Sequence, residues 1–179
     1  LGQAVVDRIP LFEKMRAVLA YDRRGTSRMA LSALDMAIHD AAGQVLGLSV
    51  AQLLGGPLRH RVFAYASGPF ISESDGYDLY ADQVEDYLKG GFRAVKPRAG
   101  MDPVKDGKMV MALRKQVGDD IGLMVDINQG YTLAGAIESL RRMEEAGLMW
   151  AEEPLQPEDL RGYKALAGRC RTALAGGEA

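Results

Sequence analysis

Charged side chains recur at near-equal spacing in the second half of the sequence, each at the end of a short apolar run. Lys96 and Asp126 lie 30 residues apart, and two further steps of 26 residues lead to Glu152 and Glu178. In a (β/α) barrel, the carboxyl ends of all strands open onto the same mouth. If these apolar runs are parallel strands of such a barrel, their terminal charges are expected to converge.

Carboxylates that converge repel one another strongly unless a cation lies between them. His and Cys are absent from this set, and oxygen ligands alone favour Mg²⁺ over zinc. Lys96 and Arg98 would add positive charge that attracts an anionic substrate. A carboxylate bound beside the metal has a more acidic α-carbon, from which a nearby base can remove the proton. The chemistry predicted from these residues is metal-assisted abstraction of a proton α to a carboxylate.

The elements that must position these residues alternate between strands and helices. Five apolar runs predict strands, at residues 62–67, 94–96, 122–126, 148–152 and 172–175. Four apolar stripes at helical spacing lie between them and predict helices, in residues 79–88, 109–117, 133–140 and 160–166. This alternation predicts right-handed βαβ units and a parallel sheet. The steady repeat favours a (β/α) barrel over a doubly wound sheet, and five strands are fewer than the eight of a closed barrel.

The first third of the sequence has a different character. Residues 1–58 are rich in Ala, Leu and Met and carry a helical pattern, which ends at Gly55-Gly56-Pro57. We therefore predict two parts, a helical segment over residues 1–58 and the strands and helices of residues 59–179. Because the sequence begins with Leu1, it is expected to be a piece of a longer protein.

Composition argues against several classes of function. Lys and Arg total 22 against 24 Asp and Glu, a net charge of -2, so a nucleic-acid or anionic-membrane partner is not expected. The longest uncharged run, residues 41–58, is too polar to span a bilayer. The single cysteine, Cys170, excludes an internal disulfide framework and suits a reducing compartment. With no visible signal peptide, we expect a cytoplasmic protein.

Four motifs together resemble the enolase superfamily, specifically its mandelate racemase-like (mandelate racemase/muconate lactonizing enzyme) branch. They are Lys96-x-Arg98, Asp126-x-Asn128-Gln129, Glu152-Glu153-Pro154-Leu155 and Gly177-Glu178. The resemblance implies an α/β fold, a partial TIM (β/α) barrel preceded by the helical end of an α+β capping domain. Residues 1–58 would be the C-terminal helical part of the capping domain. Residues 59–179 would be the first barrel strands, through the third metal ligand.

The resemblance also implies roles for individual residues. Asp126, Glu152 and Glu178 match the family's three Mg²⁺ ligands. Lys96 and Arg98 are the catalytic candidates, and Asn128 together with Lys96 is expected to contact substrate. An amide that stabilises the loop is the alternative for Asn128. Any one of these side chains alone is typical of solvated surface charge, so the prediction depends on their joint spacing. Beside them, Glu153 is expected to pair with a base such as Lys96.

The sequence departs from the family pattern at Arg98, where the family usually has a second lysine that acts as a base. Arginine stays protonated, with a pKa above about 12, so it is a poor base and a good clamp for a carboxylate or hydroxyl. A structural pairing of Arg98 with Asp126 or Glu152 is the alternative. The family's His-Asp dyad and late Glu are not in these 179 residues. The isolated piece is therefore expected to be inactive.

The leading functional prediction is an acid-sugar dehydratase, because β-elimination of water can proceed with one base. A racemase, epimerase or cycloisomerase of the same superfamily is the alternative. From another class, the chain would be a non-catalytic truncated fragment or binding module. The expected partner is a small carboxylate, an acid sugar or related hydroxy acid, and the resemblance implies a homo-oligomer at full length.

Overall fold

A computed structural model describes residues 2–19, 21, 25–74 and 76–178 of the chain. The chain divides into two compact units, Leu1–Val62 and Phe63–Ala179. No helix in the described ranges combines the length and the apolar character needed to cross a membrane.

The first unit is helical. It contains α1 (Arg8–Val18), α2 (Thr26–Leu46) and the short α3 (Val50–Leu53). Helix α2 ends at Gly47, whose φ of 66° is the left-handed conformation that glycine adopts without steric cost. Ser49 and Gln52 then form a reciprocal capping box that starts α3.

The second unit is built on short parallel strands. They are β1 (Ala66–Ser67), β2 (Ala94–Lys96), β3 (Gly122–Leu123), β4 (Val125–Asp126), β5 (Ala151–Glu152) and β6 (Leu174–Ala175). The pairing order is β1-β2-β3 in one sheet and β4-β5-β6 in the other. One residue separates β3 from β4, and Asp126 N donates to Pro97 O at 3.1 Å. The ladder from the β2 segment therefore continues onto β4, and the strands occupy five successive positions.

A helix follows each of the first four strand positions. These are α4 (Tyr80–Lys89), α5 (Pro103–Val117), α6 (Leu133–Met143) with a 3-10 turn at Glu144–Ala146, and α7 (Leu160–Ala167). Their apolar stripes pack on the strands and bury a single cluster that includes Val84, Val95, Val110, Leu123, Leu140 and Leu166. Burial of these stripes is the main contribution to stability, since apolar area removed from water contributes about 25 cal/mol per Å².

The four predicted helices and five predicted strand positions are all present. β2 matches its predicted run, residues 94–96, and the other strands are shorter than the apolar runs that predicted them. The third strand position ends at Asp126, the last residue of its predicted run. Asn128 and Gln129 have φ values of 47° and 65°, so the chain turns there instead of continuing extended.

Candidate active site

Three carboxylates meet where neighbouring strands end. Asp126 closes β4, Glu152 closes β5, and Glu178 lies just beyond β6. One carboxylate oxygen from each lies within 4.8 Å of the other two. Asp126 is buried, Glu152 is half-buried and Glu178 is exposed. Parallel pairing produces this convergence, since Asp126 stands in register with Glu152 across the ladder.

Two basic side chains contact the same carboxylates. Lys96, 6% exposed at the end of β2, places Nζ 2.6 Å from Glu152 Oε2 and 3.4 Å from Asp126 Oδ2. The Arg98 guanidinium donates to Asp126 Oδ2 and, at 2.8 Å, to Asn128 Oδ1. The structure thus brings all six predicted site residues to one place.

The electrostatics around Lys96 oppose one another. Burial by itself lowers the pKa of the ammonium group, because it disfavours the charged form. The hydrogen bond to Glu152 and the charges of Glu152 and Asp126 outweigh burial, and the pKa of Lys96 is raised above its usual value. Lys96 is therefore protonated while it contacts both carboxylates.

Two aromatic side chains that the sequence interpretation missed pack around Lys96. Tyr65 and Trp150 meet edge to face with ring centroids 5.6 Å apart, and Lys96 Nζ lies 5.4 Å from the Tyr65 ring centre. Trp150 Nε1 donates to Glu152 Oε2 at 3.2 Å. Strand alternation could have indicated Trp150, because residues two apart share a face of a strand and Trp150 lies two residues before Glu152.

The turn after β4 is held by the site itself. Asn128 N donates to Asp126 Oδ1 at 3.1 Å, a local side-chain-to-backbone bond that competes with an extended strand. Gln129 N donates to Glu153 O at 2.6 Å, and Glu153 is also left-handed, with φ 40°. Asn128 therefore reaches Arg98 because the chain turns after β4.

Glu153 does not pair with Lys96, the base named for it from the sequence. Lys96 pairs with Glu152 and Asp126 instead. The buried Glu153 carboxylate accepts from Gln129 Nε2 at 3.0 Å and from the backbone N of Glu178 at 3.2 Å. Glu153 thereby ties the segment carrying Glu178 to the turn after β4.

The donor set fits a hard divalent cation. All three grouped ligand atoms are carboxylate oxygens, at separations that allow one ion to contact each. Lys96 and Arg98, which contact these carboxylates, carry two positive charges against three negative ones. The cluster therefore keeps an excess of negative charge. Within the described ranges, this is the one group of three or more acidic, His or Cys side chains close enough to share an ion.

Comparison with known proteins identifies the family of this chain. The "Enolase C-terminal domain-like" family model matches residues 79–179, and the "Mandelate racemase / muconate lactonizing enzyme, N-terminal domain" model matches residues 3–55. D-galactarolactone cycloisomerase of Agrobacterium fabrum is 37% identical over 159 residues, covering 87% of this chain and 42% of that protein. Arabinonate dehydratase of Saccharolobus solfataricus is 34% identical over 170 residues, covering 94% and 45%.

Solved structures of related proteins have a closely similar fold. The 3,6-anhydro-D-galactonate cycloisomerase from Zobellia galactanivorans superposes with a TM-score of 0.89 at 36% identity, covering 99% of this chain and 50% of that one. An enolase from Bradyrhizobium complexed with magnesium and mandelic acid gives 0.82 at 35% identity, with 99% and 48% coverage. The chain thus spans about half the length of the relatives it matches.

The relatives include dehydratases, cycloisomerases, an epimerase and a racemase. Their shared fold is the enolase C-terminal, TIM-barrel type, with mixed helix and sheet. The two family models cover both units of this chain in order. The chain therefore belongs to the mandelate racemase/muconate lactonizing enzyme family of the enolase superfamily.

Proposed function

We propose that the native protein removes the proton α to the carboxylate of a small acid, with Mg²⁺ held by Asp126, Glu152 and Glu178. The observation that carries this is the carboxylate group within 4.8 Å, with Lys96 Nζ 2.6 Å from one member. Enolase-type sites in general combine a Lys or His base with Mg²⁺. The magnesium named for the Bradyrhizobium structure supports the same ion here.

Each residue has a separate part in this proposal. When bound, Mg²⁺ supplies positive charge that stabilises the negative charge developing on the substrate carboxylate. Lys96 is the group that accepts the α-proton. This role requires the neutral amine, and therefore requires that Glu152 and Asp126 no longer pair with the ammonium group of Lys96. Arg98 stays charged and, with Asn128, clamps a substrate oxygen.

The reaction we infer is dehydration of an acid sugar. Removal of the α-proton forms a carbon–carbon double bond as the β-hydroxyl leaves with a proton as water, and the resulting enol tautomerises to a 2-keto-3-deoxy acid. One base suffices, which agrees with arginine at position 98. Relatives named as arabinonate and L-talarate/galactarate dehydratases support this class.

An isomerase is the second candidate. The relatives named D-galactarolactone cycloisomerase and L-Ala-D/L-Glu epimerase favour it. Both classes share α-proton removal and differ in the later steps, so the products separate them. A dehydratase yields a keto acid, whereas an epimerase returns the inverted acid with solvent hydrogen at the α-carbon.

The test is a panel of sugar acids incubated with the native protein and Mg²⁺ in D₂O. Proton NMR would follow loss of the α-proton from each acid, and a carbonyl reagent would follow the keto acid. We expect both signals with at least one acid, and neither with Asp126→Asn. The exposed Asp120→Asn is the matched control and should retain both. Retention of the α-proton by every acid would overturn the proposal.

Metal binding can be tested without turnover. Trp150 is the single tryptophan of the sequence, and its indole donates to the proposed ligand Glu152. Mg²⁺ is expected to produce a saturable change in Trp150 fluorescence, because the indole's acceptor becomes a ligand. Glu152→Gln should abolish the saturation, and Glu145→Gln on the exposed 3-10 turn should preserve it. An identical titration with Glu152→Gln would contradict the assigned ligand.

We also infer that residues 1–58 belong to a capping domain and residues 59–179 to the first strands of a TIM barrel. The match of the N-terminal-domain model to residues 3–55 supports the first assignment. Five successive parallel strand positions in the second unit support the other.

A further inference from the structure

A second carboxylate centre lies at Asp106, in the first turn of α5. Asp106 is 0% exposed, yet both of its oxygens accept hydrogen bonds. Tyr77 Oη donates to Oδ1 and Tyr131 Oη to Oδ2. The backbone N of Gly100 donates to Oδ2 at 2.7 Å, and that of Asp102 contacts Oδ1 at 3.4 Å. A buried carboxylate is stable only with such compensation, so these bonds are strongly constrained.

Three of the four donors, Gly100, Asp102 and Tyr131, come from the loops that follow Arg98 and Asn128. Gly100 lies two residues after Arg98, and Tyr131 lies three residues after Asn128. Tyr77 packs edge to face on Tyr80 with ring centroids 5.0 Å apart. The Tyr80 hydroxyl in turn donates to the backbone O of Arg98 at 3.1 Å.

The two loops also touch each other directly. Ala99 N donates to Asp126 O at 2.8 Å. Gly100, with φ 105°, approaches so closely that a Cβ there would lie 2.8 Å from Ile127 O. A Cβ at Gly130 would in turn lie 3.1 Å from Gly100 O. The two loops are therefore packed against each other, and Asp106 bonds to both.

Two of the three proposed metal ligands are held by the strands. Ile127 N donates to Glu152 O at 2.9 Å, and Glu153 N to Ala175 O at 3.0 Å. These ladder bonds place Asp126 and Glu152 within the strands themselves. A change at Asp106 should therefore leave the backbone of Asp126 and Glu152 in place while it moves Arg98 and Asn128.

We propose that Asp106 is a positioning residue, whose carboxylate holds the loops at residues 98–102 and 128–131 so that Arg98 and Asn128 face the same substrate oxygen. Asp106 itself does not touch substrate. The kinetic consequence rests on the proposed function, whereas the order of the two loops is measurable without it.

The tyrosine partners suit this role. Burial, followed by the hydrogen bond to Asp106, raises the pKa of both Tyr77 and Tyr131 well above the usual tyrosine range. Both hydroxyls therefore remain donors at neutral pH.

The first test is amide hydrogen exchange, followed by mass spectrometry, on Asp106→Asn. The new side chain has the same size but turns an NH₂ group toward a donor, so one bond becomes a repulsive contact. Loss of such a bond is expected to raise exchange in residues 98–102 and 128–131 at least about tenfold. Val110→Ala, at a 0% exposed residue one turn along the same helix, is the control for general destabilisation. It should lower the melting temperature without this local pattern.

The second test is kinetic, on the native protein with an acid that it turns over. Arg98 and Asn128 bind the substrate oxygen equally in the ground and transition states. KM should therefore rise about tenfold in Asp106→Asn while kcat changes less than about threefold. The Mg²⁺ titration of Trp150 fluorescence should keep its midpoint. Val110→Ala should leave KM, kcat and this midpoint unchanged.

The outcomes separate cleanly. Exchange that rises evenly along the chain, or equally in Val110→Ala, would reduce Asp106 to a structural residue and overturn the proposal. If Asp106→Asn does not fold, Tyr131→Phe removes one donor and keeps the carboxylate, with faster exchange expected at 128–131; unchanged exchange there overturns the proposal. If the wild-type protein turns over no acid, the proposed function fails, and the exchange comparison still decides the role of Asp106.

Discussion

Charge balance around Lys96 dominates the site at the scale of single residues. The ammonium group is buried between Glu152 and Asp126, and Arg98 shares the second of these carboxylates. Removing one member of a buried charge pair costs more than the pair contributes, because the remaining charge is left without compensation. Lys96 thus acts both in stability and in the proposed chemistry, and the two roles can be measured separately.

Lys96→Met is expected to lower the free energy of unfolding without Mg²⁺ by about 3–5 kcal/mol, measured by urea titration. Lys96→Arg keeps the positive charge and should recover most of that loss. Because arginine is a poor base, the rate at which the native protein removes the substrate α-proton should still fall about 10²- to 10⁴-fold in Lys96→Arg. A wild-type rate in that variant would rule out Lys96 as the base.

At the scale of elements, side-chain caps fix the start of each helix that follows a site strand. Asp102 accepts from Val104 N at 3.0 Å and from Lys105 N at 2.9 Å at the start of α5. Thr132 caps α6 and Asp159 caps α7 in the same way. Each strand-to-helix loop is therefore anchored by the strand at one end and by a cap at the other.

Asp102→Ala should lower the free energy of unfolding by about 1 kcal/mol, since two backbone N–H groups lose their acceptor. Urea unfolding of the 179-residue chain would measure it. Asp102→Asn keeps an acceptor oxygen and should stay within a few tenths of wild type. A loss just as large in Asp102→Asn would show that the negative charge, and not the cap, stabilises α5.

These elements could largely be predicted because their signals are local. The apolar stripes of α4 to α7 recur at helical spacing, and each strand position is an apolar run. The turn at Asn128 and Gln129 could not be predicted, because it depends on bonds to Asp126 and Glu153 that only the fold brings within reach. Asp106 has the sequence signature of an ordinary first-turn acid, and its tyrosine partners lie 29 and 25 residues away.

At the scale of the whole molecule, buried tyrosines link stability to alkaline pH. Burial is the largest cause that raises the pKa of Tyr77, Tyr80 and Tyr131 above the usual value. The convergence of the charged residues is also a property of the whole molecule. It could be predicted because parallel strands all end on one edge of the sheet, whereas no rule of spacing predicts the packing of these tyrosines.

The free energy of unfolding is expected to be insensitive to these tyrosines below about pH 9, where both states keep their protons. Above about pH 10 the unfolded chain releases phenol protons that the folded chain retains. Stability should then fall by about 1.4 kcal/mol per pH unit for each such tyrosine. Urea titrations between about pH 8 and pH 11 would measure this slope, which should be shallower in Tyr80→Phe. Tyr21→Phe, at a 95% exposed side chain, is the control and should leave the slope unchanged. A flat profile would contradict the expectation.

The left-handed residues Asn128, Gln129 and Glu153 have a consequence for the evolution of this protein. Each non-glycine residue held there costs about 1–2 kcal/mol, which Asn128→Gly or Glu153→Gly would relieve in part. The same replacements delete the amide that meets Arg98 and the carboxylate that anchors the Glu178 segment. Glycine at Asn128 or Glu153 would thus relieve backbone strain and at the same time remove these bonds. Selection for heat tolerance alone is therefore not expected to enrich glycine there, and the strained residues persist because their side chains join the site.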